Sequence, residues 1–189
     1  MPITGYAKAG FALVCAAVLA ACGPATPSAQ DKVKRGEYLV KIISCGDCHT
    51  QGALLGKPDM AKYMGGSEVG FFLPDLGYFY GSNLTPDKET GLGNWSEDEI
   101  VTALRTGMRP DGRKLAPIMP WMSFATLTDD DADAIAAYLK SLAPIAYKAP
   151  GPFGATETPT APYQTVVAPK APEPAQPETP PPAPTTTPQ

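Results

Sequence analysis

Three stretches of this 189-residue chain place apolar side chains at helical intervals. In residues 31–43, Val33, Tyr38, Leu39, Ile42 and Ile43 fall on one face, which predicts an amphipathic helix. Ser96 and Glu99 form a capping-box signature for a second helix reaching about Thr106. Its inner face is Ile100, Val101 and Leu104, and Gly107 is its stop. Thr128 with Asp131 opens a last helix through Leu142, with Ile135, Tyr138, Leu139 and Leu142 as its apolar face. The expected class is therefore mainly α. Between the first two helices, residues 51–95 are rich in Gly, Pro and aromatic residues and show no helical period. A structureless loop of that length inside a domain needs something to organise it, and a bound group with a large apolar surface would do so.

The two ends of the chain read differently from this middle part. Residues 1–21 carry Lys8 and then an apolar run over residues 11–20, the layout of an export signal. The run is too short to span a bilayer. It leads into Leu19-Ala20-Ala21-Cys22-Gly23, which resembles the lipobox of bacterial lipoproteins, in which the cysteine is acylated and becomes the first mature residue. The alternative is ordinary cleavage near Ala21, leaving Cys22 as a free thiol. Several acyl chains on Cys22 would give stable anchoring, and one chain only reversible binding. Residues 22–30 form a short linker with an end-to-end distance of roughly 15 Å, and residues 31–146 form one domain. In residues 147–189 proline dominates, with thirteen of the last forty positions, so disorder or polyproline-like extension is expected there.

Charge narrows the picture only slightly. The net charge is −4, and no basic stripe suggests a nucleic-acid surface. Asp129, Asp130, Asp131 and Asp133 complement the start of a helix, with a docking patch for a basic partner as the second reading.

The chemistry is concentrated at Cys45-Gly46-Asp47-Cys48-His49. Two thiols three positions apart can form thioethers with the two vinyl groups of one porphyrin, and the adjacent imidazole then lies under the iron. A redox dithiol or half a zinc site also uses CxxC. Zinc lacks ligands here: the other cysteines are Cys15 and Cys22 near the amino terminus, and His49 is the sole histidine. One covalently attached haem c is the expected cofactor. Thioether attachment takes place outside the bacterial cytoplasm, which agrees with an export signal and a location on the periplasmic side of the envelope.

A single histidine excludes bis-histidine ligation within the chain, so methionine becomes the candidate second axial ligand. Met60 and Met64 follow His49 too closely to wrap the porphyrin edge, and Met108 after a helix stop suits core filling. Met119 lies in Pro117-Ile118-Met119-Pro120, where the prolines stiffen a loop between two helices. Met122, three positions on, is its main competitor, and an open sixth site is the remaining alternative.

The succession of CxxCH, Asn83-Leu84-Thr85-Pro86-Asp87, Glu89-Thr90-Gly91-Leu92-Gly93, Trp95-Ser96, Arg109-Pro110-Asp111-Gly112-Arg113, Met119-Pro120 and Ala137-Tyr138-Leu139 resembles class I cytochrome c domains. More narrowly, it is similar to the domains repeated in the cytochrome c subunits of membrane-bound bacterial alcohol, gluconate and related dehydrogenases. The resemblance implies helices wrapped around one haem, with Met119 as axial ligand and Asn83 near the haem edge. It also places Gly36 and Tyr138 where the first and last helices cross, and ordinary packing is the expected role of Tyr138 and Trp95. Those subunits usually carry three CxxCH motifs, whereas this chain has one and adds a proline-rich tail. With both axial positions filled, the expectation is a lipid-tethered carrier of single electrons rather than an enzyme. Its partners would be a quinol-oxidising complex, a dehydrogenase or a terminal oxidase. A cytochrome subunit of a periplasmic dehydrogenase complex is an alternative, as is a haem enzyme or sensor with a displaceable methionine.

Overall fold

The computed structural model describes Met1 and residues 28–169. The signal-like segment, Cys22, most of the linker and residues 170–189 lie outside the described residues.

Three capped helices frame the domain. Helix α1 (Ala29–Ile42) begins at Ser28, whose hydroxyl accepts from the Asp31 amide at 3.2 Å while the Asp31 carboxylate accepts from the Ser28 amide. The Ser28 hydroxyl also donates to the Asp31 carboxylate at 2.6 Å, and this bond, followed by that from the Ser28 amide, holds the Asp31 pKa below its usual value. The short helix α2 (Cys45–His49) follows at once. Helix α3 (Glu97–Thr106) has the expected reciprocal box between Ser96 and Glu99 and ends at Gly107, which is left-handed at φ 73°. A single turn, α4 (Trp121–Phe124), and helix α5 (Asp129–Ser141), capped by Thr128, complete the set.

Helices α1 and α5 cross at Gly36, where an added Cβ would strike the Ala134 carbonyl and the Tyr138 side chain. Leu39, Val40, Leu92, Ile100, Ile135, Ala136, Tyr138 and Leu139 form the core around the crossing, together with Met64. The expected face of α1 is rotated in part: Leu39 is buried, but Tyr38 and Ile42 are exposed, and Gly36 and Val40 take the inner positions. Close contact through a glycine moves the buried stripe toward that residue, which a count of large apolar side chains misses. The acidic cluster serves this frame. Asp131 pairs with Arg35 at 2.8 Å, Asp133 with Lys32 at 3.4 Å, and Asp129 with Arg105.

Residues 51–95 are not structureless. Strands β1 (Gly70–Leu73) and β2 (Gly77–Tyr80) form an antiparallel hairpin in which Phe71 faces Phe79 and Phe72 faces Tyr78. A two-residue strand β3 (Tyr163–Gln164) joins the free edge of β1 in parallel, giving the order β2-β1-β3. The fold is mostly helical with this small sheet attached.

Strand β3 corrects the expected boundary of the tail. Residues 147–164 lie on the domain rather than running free. Tyr78 and Phe153 exchange backbone hydrogen bonds of 2.8 and 3.1 Å, the Gly70 amide donates to the Pro162 carbonyl at 3.0 Å, and the Tyr80 hydroxyl donates to the Ala161 carbonyl at 2.8 Å. The physical reason is aromatic. Phe153 lies edge-on to Tyr80 at 6.0 Å and Tyr163 edge-on to Tyr78 at 4.7 Å, supplying apolar contact that the surrounding Pro, Ala and Thr do not. Among the described residues no helix is long and apolar enough to cross a membrane.

Candidate functional site

Helix α1 is capped by Ile43, and the left-handed Ser44, at φ 61°, turns the chain directly into α2. One helical turn separates Cys45 from Cys48, so both thiols lie on the same side, with His49 beside them. All three line a cavity of about 580 Å³. Gly81 passes so close to α2 that a Cβ there would strike the Cys48 carbonyl, which allows the 81–84 segment to reach the histidine.

His49 is buried, and its Nδ1 lies 2.7 Å from the Ser82 carbonyl oxygen. Donation from Nδ1 leaves the Nε2 lone pair free for a metal and fixes the ring plane. Burial lowers the His49 pKa, opposed by the Ser82 hydrogen bond, so the neutral ligating form is favoured. Burial pushes the Cys45 thiol up to about 11 and also raises Cys48. A reactive dithiol needs the opposite shift, so these surroundings do not suit thioredoxin-like chemistry. Nor do three or more His, Cys, Asp or Glu side chains cluster as a metal site among the described residues, which removes the geometric basis of the zinc reading.

The cavity walls are largely apolar. Leu84, Leu92, Ile100, Leu104, Ile135 and Leu139 come from the helical frame and its loops, and Phe71 and Phe79 from the inner face of the hairpin. Met119 lines the same cavity, its amide donating to the Ala116 carbonyl at 3.0 Å and its carbonyl accepting from the Trp121 amide at 2.8 Å. Met122 is 60% exposed and lies outside the lining, and Met60 and Met108 are also exposed. Met64 is fully buried and contributes to the wall, but it belongs to the core cluster around Leu39 and Tyr138.

Asn83 lines the cavity, yet its polar atoms are committed to protein. Its Nδ2 donates to the carbonyls of Ile145 and Tyr147 and to Thr90 Oγ1, and its Oδ1 accepts from the amide and hydroxyl of Thr85. Its polar atoms thus bond to protein, while its side chain keeps a place on the lining of the cavity. Sequence reasoning missed two cations on the lining, Arg109 and Arg113, and a third, Lys148. Arg109 stacks over Trp95 at 5.1 Å and pairs with Asp111 at 3.2 Å. Partial burial and the neighbouring Arg109 both lower the Arg113 pKa, the situation of a cation that gains from an added anion. The repeated arginines of Arg109-Pro110-Asp111-Gly112-Arg113 were the available signal.

This donor set fits a haem: two thiols and an imidazole with a free nitrogen on a cavity wall, a thioether on the same lining, apolar sides and cations suited to carboxylates. A mostly helical chain carrying CxxCH on such a cavity is a cytochrome c domain. A family profile described as cytochrome c oxidase, cbb3-type, subunit III matches residues 31–139, and the chain belongs to this family of cytochrome c domains, which carry covalently bound haem c. It is 38% identical over 150 residues to the cytochrome c subunit of the quinone alcohol dehydrogenase of Gluconobacter oxydans, covering 77% of this chain and 30% of that protein. It is 38% identical over 115 residues to the gluconate 2-dehydrogenase cytochrome c subunit of Pantoea cypripedii, covering 60% of this chain and 24% of that protein. With the fructose dehydrogenase cytochrome subunit of Gluconobacter japonicus it shares 36% identity over 107 residues, 57% of this chain and 20% of that protein. The chain thus spans less than a third of these relatives.

Proposed function

We propose that this protein is a monohaem c-type cytochrome that carries single electrons between redox partners on the periplasmic side of a bacterial envelope. The observation carrying this reading is the one CxxCH, whose His49 is the only histidine, on a cavity also lined by Met119. Bound there, the haem supplies one-electron redox chemistry. Cys45 and Cys48 would hold it covalently, with His49 Nε2 and the Met119 sulfur as the donors to its iron. Exposure of Met122 and the commitment of Met64 to the core support Met119 as the thioether ligand. Arg109, Arg113 and Lys148 offer charge to the propionates, and the apolar walls keep water away and limit reorganisation.

With His49 and Met119 both committed to iron, no site would be open to oxygen or peroxide, and transfer would be outer-sphere, through transient contacts with protein partners. Acylation at Cys22 would tether the domain close to a membrane and confine the search for those partners. A quinol-oxidising complex, a dehydrogenase or a terminal oxidase fits that position. Relatives that are themselves cytochrome subunits of alcohol, gluconate and fructose dehydrogenases favour a dehydrogenase complex as a second assignment for the same carrier. The test is haem and iron quantification with a redox titration of the purified holoprotein. One haem per chain, a one-electron wave and negligible peroxide turnover support the carrier. More than one haem, or rapid peroxide turnover, contradicts it.

A further inference from the structure

Residues 148–152 add a wall to the cavity, and they lie beyond the span that matches the family profile. The chain is fixed just before this wall by a buried polar cluster. Asn83 and Thr85 are almost fully buried. Asn83 Nδ2 donates to the Ile145 carbonyl at 2.6 Å and the Tyr147 carbonyl at 3.3 Å. The Ile145 amide donates to Thr85 Oγ1 at 3.0 Å, and the Tyr147 amide to Thr90 Oγ1 at 3.2 Å. Thr90 Oγ1 is itself oriented by donation to Asp87 at 2.6 Å. The latch therefore takes up both amides and both carbonyls of Ile145 and Tyr147. Its other end is one residue from Ser82, whose carbonyl accepts from His49.

We infer that Asn83 is a positioning residue that fixes residues 148–152 as a wall of the haem cavity while holding the Ser82 carbonyl that orients His49. This rests on the haem reading given above and adds a role for the segment that follows the cytochrome domain. Pro150 and Pro152 bring no backbone donors to the cavity and restrict their own backbone, which suits a dry, fixed wall. Beyond it, Phe153 pairs with Tyr78 and Tyr163 with Gly70, so the strap is held at both ends. Residues 147–164 then act as part of the haem environment, separate from the proline-rich residues that follow. Opening the wall admits water, which favours the more highly charged oxidised state and lowers the reduction potential.

The experiment compares full-length holoprotein with five variants: Asn83→Ala, Thr90→Val, Thr90→Ser, a chain ending after Ala146 and a chain ending after Gln164. The reduction potential is measured for each, and amide exchange at Ile145 and Tyr147 for the full-length protein and its three substitution variants. Asn83→Ala and Thr90→Val accelerate exchange of these two amides by roughly tenfold or more and lower the potential, and Thr90→Ser restores both. The chain ending after Ala146 has the lowered potential, and the chain ending after Gln164 keeps the full-length value. Equal potentials for full-length protein and the chain ending after Ala146 overturn the wall. Unchanged exchange in both Asn83→Ala and Thr90→Val overturns the latch. The attached haem and ligand spectrum of the full-length protein test the haem reading separately. Should that reading fail, amide exchange still decides the latch.

Discussion

Gly36 in α1 lies directly against the backbone carbonyl of Ala134 in α5, with no room for a side chain between them. A glycine inside an exposed helix is ordinarily a weakness, and alanine there would add about 1 kcal/mol of stability. The crossing reverses the sign, because a methyl group must push the helices apart at an overpacking cost of about 1–3 kcal/mol or more. Gly36→Ala is expected to lower unfolding stability by about 2 kcal/mol, read as a lower urea midpoint. An unchanged or higher midpoint would contradict the contact.

Lys140 presents a different kind of junction. Its ammonium donates to the carbonyls of Leu92, Gly93 and Trp95 at 3.1, 3.1 and 2.8 Å, tying α5 to the loop that carries Trp95 to the cavity. Lys140→Met keeps the stem and removes these bonds. A loss of about 1–3 kcal/mol is expected in urea unfolding, together with greater mobility of the Trp95 indole by NMR. Retention of both properties would show that the loop holds itself.

Acid should loosen the loop that carries the Asn83 latch. Hydrogen bonds from the Thr90 hydroxyl, and then the Thr90 amide, hold the Asp87 pKa below its usual value, and Arg35 does the same for Asp131. A depressed folded pKa contributes stability that is present above the unfolded carboxylate value of about 3.9 and lost as pH falls through the folded one. The contribution of these two carboxylates to the urea midpoint is therefore expected to be lost below about pH 4. Asp87→Asn should have a lower plateau and a shallower acid fall. A variant with the wild-type slope would remove Asp87 from that transition.

How far these relationships were legible in the sequence differs by element. The boxes at Ser96 and Glu99 and the Thr128 cap are local chemistry, and the helices they open begin where expected. The hairpin was hidden because Gly-Phe-Phe-Leu and Gly-Tyr-Phe-Tyr lack an alternation of apolar and polar residues. One face lines the cavity through Phe71 and Phe79 while the other stacks Phe72, Tyr78 and Tyr163, so both are apolar. Composition misled the reading of residues 147–164, where proline masked the three aromatic anchors Tyr147, Phe153 and Tyr163. CxxCH and Met119 were legible as candidate ligands from residue type alone, and the structure brings them to the lining of one cavity. The Ser82 carbonyl was not, because a backbone acceptor has no sequence signature.

Cys22 lies outside the described residues, and its role is tested in cells. Cys22→Ser is expected to move the haem-bearing protein from the membrane fraction to the soluble periplasmic fraction, with its visible spectrum unchanged. An unchanged distribution would rule out acylation at this position as the tether.

Iron ligation by His49 and Met119 is read from the oxidised absorption spectrum. Met119→Ala should abolish the weak band at the red edge that marks methionine-bound iron and lower the reduction potential, while both thioethers remain. Met122→Ala should leave band and potential as in the parent protein. Persistence of the band in Met119→Ala, or its loss in Met122→Ala, would contradict ligation by His49 and Met119.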